Sequence, residues 1–186
     1  YLILTLFLQF GEKFSSSDAG LGNIPIALGS AIGGGISGGF LAEKIGGRLT
    51  LQIGAAVQLV GLALMWLAVP SIDNFSIWQL VPALVVSGIG TGLIAAPIFD
   101  TVLATVEPQQ SGSASGVLSA VQSVMSSVGV AVFGTVFFHL ATPSQAHPIG
   151  QADAGFRNAL IVQMVILALF AAVSVVLPKR PERQEH

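Results

Sequence analysis

The chain has no cysteine, which excludes disulfides and thiolate metal sites. Charge is scarce: Asp, Glu, Lys and Arg make up 9% of the residues, against about 25% in an ordinary soluble domain. No basic excess exists either. The 7 Lys and Arg face 9 Asp and Glu, a net charge of −2, so there is no positive stripe to neutralise phosphates and no case for a nucleic-acid partner. The apolar runs lack period-2 alternation and are too long for barrel strands, while isolated strands cannot satisfy their backbone groups in hydrocarbon. What is present is 53% hydrophobic, with a mean hydropathy of +0.82. Together these features describe an all-α polytopic membrane protein whose solvent is the lipid bilayer.

The few charges cluster, leaving uncharged intervals at 19–42, 49–72, 74–99, 108–152 and 158–178. A spanning helix needs about 20 apolar residues, so each interval can hold one. The interval 108–152 is too long for one helix, and its second part, with His139, Thr142, Pro143, Ser144, His147, Pro148 and Gly150, reads as loop. Helices are expected at 1–10, 20–41, 49–69, 77–98, 112–138 and 157–177, forming one bundle over 1–178 with a tail at 179–186. The first is expected to be truncated, because the chain opens on Tyr1 within an apolar run. Lys44, Arg48, Lys179, Arg180 and Arg183 fall on one side of the alternating loops, against Lys13 and Arg157 on the other. Basic flanks resist translocation, which puts the 42–48 loop, the 100–111 loop and the C-terminal tail in the cytoplasm.

Glycine is concentrated in the second helix, with small-xxx-small pairs at Gly29/Gly33, Gly34/Gly38 and Gly35/Gly39. Such spacing lets membrane helices approach closely, so this helix is expected to be buried against others. Gly33, Gly35 and Gly38 also fit a dinucleotide-binding spacing, but no strand precedes them and the match is rejected. On the fifth helix Ser115, Ser119, Gln122, Ser126 and Gly129 share one face, while Val117, Val121, Val124, Val128 and Val132 share another. The polar face is expected to turn inward and the valines to lipid, with Gln122 the most polar group near mid-membrane. Gly129 and Gly134 are read as packing positions, and Gln9, Thr91, Ser119, Gln122 and Ser126 as candidates to line a cavity. The fourth helix carries Ser87, Gly88, Gly90, Thr91 and Gly92 between Pro82 and Pro97, each proline permitting a bend. The third helix has only Gly54 and Gly61 and the sixth none, so both read as peripheral and lipid-facing. Asp100 sits at a helix end, as an ion pair or a gate. His139, His147 and Asp153 lack tight ligand spacing and are read as solvated, with no metal and no cofactor.

At the 39–48 loop the sequence resembles the major facilitator superfamily, whose motif A reads G-x-x-x-D-R/K-x-G-R/K-R/K. Gly39, Glu43, Lys44, Gly46 and Arg48 stand at matching positions, with Glu43 for the usual Asp and Gly47 where a basic residue is common. Ser113 to Gly116 and Gly129 to Val136 are similar to the penultimate helix of the fourteen-helix drug:proton antiporters, and Pro82-Ala-Leu, Gly88 to Gly92, Pro97 and Phe156-Arg157-Asn-Ala follow the same family in order. Where that family often has Asn and Arg-Gln inside the helix, this chain has Ser119 and Gln122-Ser123. The resemblance implies the C-terminal six-helix half of a multidrug efflux transporter in the cell membrane. That half would work with an N-terminal half, exchanging a small-molecule substrate for protons by alternating access. It further implies that Glu43 braces the other half in one state.

No acid or base stands at the expected middle of any helix, so no proton carrier is evident in this chain. Two other classes remain open. An intramembrane enzyme needs a base and nucleophile or a metal cluster within the helices, and the serines here have no membrane His or acid beside them. A non-transporting assembly or receptor protein of the same fold would differ by showing no proton-linked flux.

Overall fold

The computed structural model of the chain describes residues 4–5, 20–68, 77–103, 111–140 and 148–174. Its described elements are helical. α1 covers Ile24–Ile36 and runs without interruption into a π turn, Ser37–Leu41, and a last short helix α2, Ala42–Ile45. α3 is Gly47–Ala68, α4 Ile77–Leu103, α5 Ser111–Leu140 and α6 Pro148–Ser174. Within these, Gly47–Ala68, Trp78–Phe99, Gly112–Thr135 and Gly155–Ser174 are long and apolar enough to cross a bilayer, and Ile24–Gly39 is a shorter apolar helix.

Local chemistry explains the ends. Pro25 lies in the first turn of α1 and Pro148 opens α6, positions where a missing N–H removes no helical hydrogen bond. For that reason α6 begins ahead of residue 157, inside the stretch read as loop: hydropathy reports where a helix enters lipid, not where its backbone starts. α4 likewise continues beyond 98 through Asp100 to Leu103. Between α2 and α3 the chain reverses at Gly46, whose φ of 82° only glycine adopts readily. The adjacent Gly47 is already helical, so Gly46 alone makes the turn. Thr50 then closes the first turn of α3, its N–H and Oγ1 both donating to the Gly46 carbonyl at 3.2 and 3.1 Å.

α4 is the central helix, packed against α1 on one side and α3 on the other, while α6 rests on α3 and α5. The run Gly88-Ile-Gly90-Thr-Gly92 accounts for both contacts, since residues four apart share a helix face and the residue between them points the opposite way. A Cβ on Gly88 would strike the Ile26 carbonyl and one on Gly92 the Ser30 carbonyl of α1; one on Gly90 would strike the Gln58 backbone of α3. α1 meets α4 through the buried Ile26, Gly29 and Gly33, with Ser37 of the π turn following on, and α3 through Gly54 and Gly61. Of the three glycine pairs in α1, 29/33 lies in this contact. A Cβ on Gly35, Gly38 or Gly39 meets nothing within 4 Å, and one on Gly34 only the Gly92 carbonyl at 4.0 Å.

α3 therefore has one gripped face, and its expected peripheral position holds for the other alone. Leu49, Ile53, Val60, Leu64 and Leu67 form an exposed apolar stripe on α3, as Ile161, Val165, Leu169 and Val173 do on α6. Stripes of this kind suit hydrocarbon and would be a liability in water. The buried core lies toward one end of the bundle, where Leu62 and Met65 near the end of α3 meet Leu80, Ala83 and Leu84 near the start of α4 and Phe156, Ala159 and Leu160 of α6. Arg157 closes that end by laying its guanidinium 4.3 Å from the ring centre of Trp66.

Candidate functional site

The opposite half of the bundle holds an open cleft of about 220 Å³, bounded by Gln58 of α3, Thr91, Ile94, Ala95, Ile98 and Phe99 of α4, and Gln122 of α5. Each polar member sits near the middle of its helix, hence near mid-membrane. α4 supplies one wall because 91, 95 and 99 and the pair 94 and 98 recur at helical spacing on a single face. The three polar groups come from three different helices, and the packing that positions them is glycine-based: Gly90 leaves room for the backbone and Cβ of Gln58.

The chemistry available is hydrogen bonding without charge. Thr91 Oγ1 donates to the Ser87 carbonyl at 3.0 Å, so its hydroxyl proton is committed and its oxygen can accept. The two glutamines each bring an amide with both donor and acceptor capacity. Phe99 and three aliphatic side chains surround them. The lining carries no ionisable side chain, so what it offers a ligand is hydrogen bonds and apolar surface.

Of the residues singled out as cavity candidates, Thr91 and Gln122 meet here. Ser119 and Ser126 lie on α5 outside the lining, and both are exposed. α5 touches α4 only lightly, and its serine face and its valine face are both exposed through the middle of the helix. Its neighbouring hydroxyls fold back on the helix, Ser123 donating to the Ser119 carbonyl at 2.9 Å and Ser127 to the Ser123 carbonyl at 3.0 Å. Gly129 and Gly134 of α5 are half-buried, with open space where a Cβ would stand. Gln9 lies outside the described residues, as do His147 and the tail 179–186. Glu43 and Asp100 are placed by backbone alone, in α2 and near the end of α4. Lys44 is exposed and Arg48 half-buried beside the Gly46 turn.

Gln58 was not among the sequence candidates. It carried the same signal as Gln122, an amide near the centre of an apolar span, on a helix set aside as peripheral.

The model of the Major Facilitator Superfamily matches residues 1–186. The chain is 40% identical over 140 residues to a protein of Streptomyces coelicolor named a probable actinorhodin transporter, an alignment covering 75% of this chain and 24% of that protein. It is 31% identical over 137 residues to puromycin resistance protein pur8 of Streptomyces alboniger, covering 73% and 27%. With cephamycin export protein CmcT of Amycolatopsis lactamdurans it shares 27% identity over 178 residues, covering 96% and 35%. The chain thus spans about a quarter to a third of the length of these relatives.

Proposed function

Because this chain belongs to the major facilitator superfamily, with its helices integral to the membrane, we propose that it is the C-terminal six-helix part of a proton-coupled exporter of amphipathic, drug-like small molecules. The observation that carries this reading is the uncharged polar cleft at mid-membrane, with Gln58, Thr91 and Gln122 projecting from three apolar helices. Polar groups at this depth are costly unless used, and here they converge. A volume of about 220 Å³ is below the 300–1,000 Å³ of a typical drug site, so the cleft takes one portion of a ligand and the N-terminal half contacts the remainder. The exposed face with Ser119 and Ser126 belongs to the same cavity and faces that half.

In this reading the apolar core with the Arg157–Trp66 stack lies on the outer side, and the cleft opens toward the cytoplasm, as does the C-terminal tail. Alternating access proceeds by rocking of the two halves, with Glu43 of the motif A loop bracing the other half and Asp100 pairing at the cytoplasmic end of α4. The proton carrier is assigned to the N-terminal half. Names given to relatives, such as cephamycin export and puromycin resistance, favour natural-product antibiotics as the substrate class.

Full-length protein in proteoliposomes, given an imposed pH gradient and a fluorescent aromatic cation, should accumulate the dye against its gradient, and a protonophore should abolish the accumulation. Gln122→Leu should change the rank order of compounds exported more than the rate for any one. Absence of proton-linked flux with every probe tried would remove the transport reading, and an unchanged rank order would remove Gln122 from the site.

A further inference from the structure

We propose that Ser37 is a positioning residue for transport: its hydroxyl takes the place of the amide that Pro97 lacks, and in doing so ties the π turn that follows α1 to the wall of the cleft. In an unbroken helix the N–H of residue 97 would donate to the carbonyl of residue 93. Proline has no N–H, so the Leu93 carbonyl loses its helical donor at a position buried between helices, where no water can replace it. Ser37 Oγ donates to that carbonyl from across the α1–α4 contact, at 3.3 Å. Both Ser37 and Pro97 are fully buried. The pairing is specific, because the one carbonyl that Pro97 orphans near this contact is the one Ser37 reaches.

Two weak points in two helices therefore meet at a single hydrogen bond. On α1, Ser37 is the first residue of the π turn Ser37–Leu41, whose i→i+5 geometry is uncommon and whose next residues are Gly38 and Gly39. Just beyond the turn comes α2 with Glu43, then the Gly46 reversal. On α4, the proline turn has two faces. The Leu93 carbonyl reaches Ser37, the Leu93 side chain lies against α3 at Gly54, and the neighbouring Ile94 lines the cleft with Thr91, Ala95, Ile98 and Phe99. Any change of bend at Pro97 moves the cleft wall, and the Ser37 bond carries that movement to the segment bearing the motif A loop. This role rests on the reading of the cleft as a substrate site in an alternating-access transporter.

The test is a mutant cycle in the full-length protein. Ser37→Ala leaves the Leu93 carbonyl unsatisfied, whereas Pro97→Ala restores its helical donor and makes Ser37 dispensable. Distances between spin labels on the cytoplasmic ends of α1 and α4 should report a change of about three- to tenfold in the ratio of the two states for Ser37→Ala, the range for one interhelical hydrogen bond. In the Pro97→Ala background the same substitution should change the ratio by less than about twofold. In flux assays Ser37→Ala should alter Vmax more than KM. Should Ser37→Ala fail to accumulate, Ser37→Thr and Ser37→Val serve as an isosteric pair, and only Ser37→Thr should keep the wild-type ratio. An equal effect of Ser37→Ala with and without Pro97, or indistinguishable behaviour of the isosteric pair, overturns the proposal. The distance measurements need no substrate, so lack of proton-linked flux in the wild type would sink the transport reading separately.

Discussion

Replacing Gly61 by alanine sets two opposed effects against each other, and the structure decides the sign. In a helix alanine is favoured over glycine by about 0.8–1.0 kcal/mol, so propensity alone predicts a gain. The added Cβ, however, would stand 2.5 Å from Ser87 N, 2.6 Å from Ser87 Cα and 2.8 Å from Ser87 Cβ. Unbonded carbons rest at about 3.5–4.0 Å, so α3 must retreat from α4 by roughly 1 Å. The atoms struck are largely backbone, which has no rotamer through which to yield. Overpacking costs about 1–3 kcal/mol and propagates to the Gly54 and Gly90 contacts in the same interface, so Gly61→Ala should destabilise by up to about 2 kcal/mol net. Gly35→Ala is the control: its Cβ meets open space, so the propensity term should stand and give about 0.5–1 kcal/mol of stabilisation. Unfolding of the full-length protein in detergent, followed by loss of helical circular dichroism as SDS mole fraction rises, measures both. Shifts of the same sign and size for the two variants would refute the close α3–α4 approach.

Glu43→Gln in the full-length protein should move the balance of inward- and outward-open states with little loss of expression; unchanged label distances across the cytoplasmic faces would count against the brace. At the other end, Trp66→Leu should destabilise more than Trp66→Phe, because phenylalanine keeps a ring face for the Arg157 guanidinium. The difference is about 0.5–2 kcal/mol for a half-buried cation over an aromatic ring, read in the same SDS unfolding assay. Equal loss in the two variants would leave packing area as the only role of Trp66.

The helices seen from residue 20 onward were legible because lipid imposes a coarse rule: long neutral runs separated by charges read as spans, while the helix expected at 1–10 lies outside the described residues apart from 4–5. Helix starts were less so, as α6 shows, since Pro148 begins a helix seven residues ahead of the membrane window at Gly155. The reversal at Gly46 has a local cause, because a positive φ is a demand of the backbone and not of any partner. Thr91 and Gln122 stood out as polar groups within apolar spans. Gln58 did so equally, but the scarcity of glycine on α3 was read as lipid exposure, and Gly54 and Gly61 turned out to be enough to dock that helix tightly.

Composition and charge spacing by themselves determined the solvent and the all-helical class, because each follows from one-dimensional chemistry. Which of the glycine pairs on α1 meets a neighbour, which two faces of α4 are gripped, and that Ser37 reaches the carbonyl left by Pro97 were decided only in three dimensions. Helical periodicity puts residues on a face, but a face acquires a partner only when another helix brings complementary gaps and donors to it.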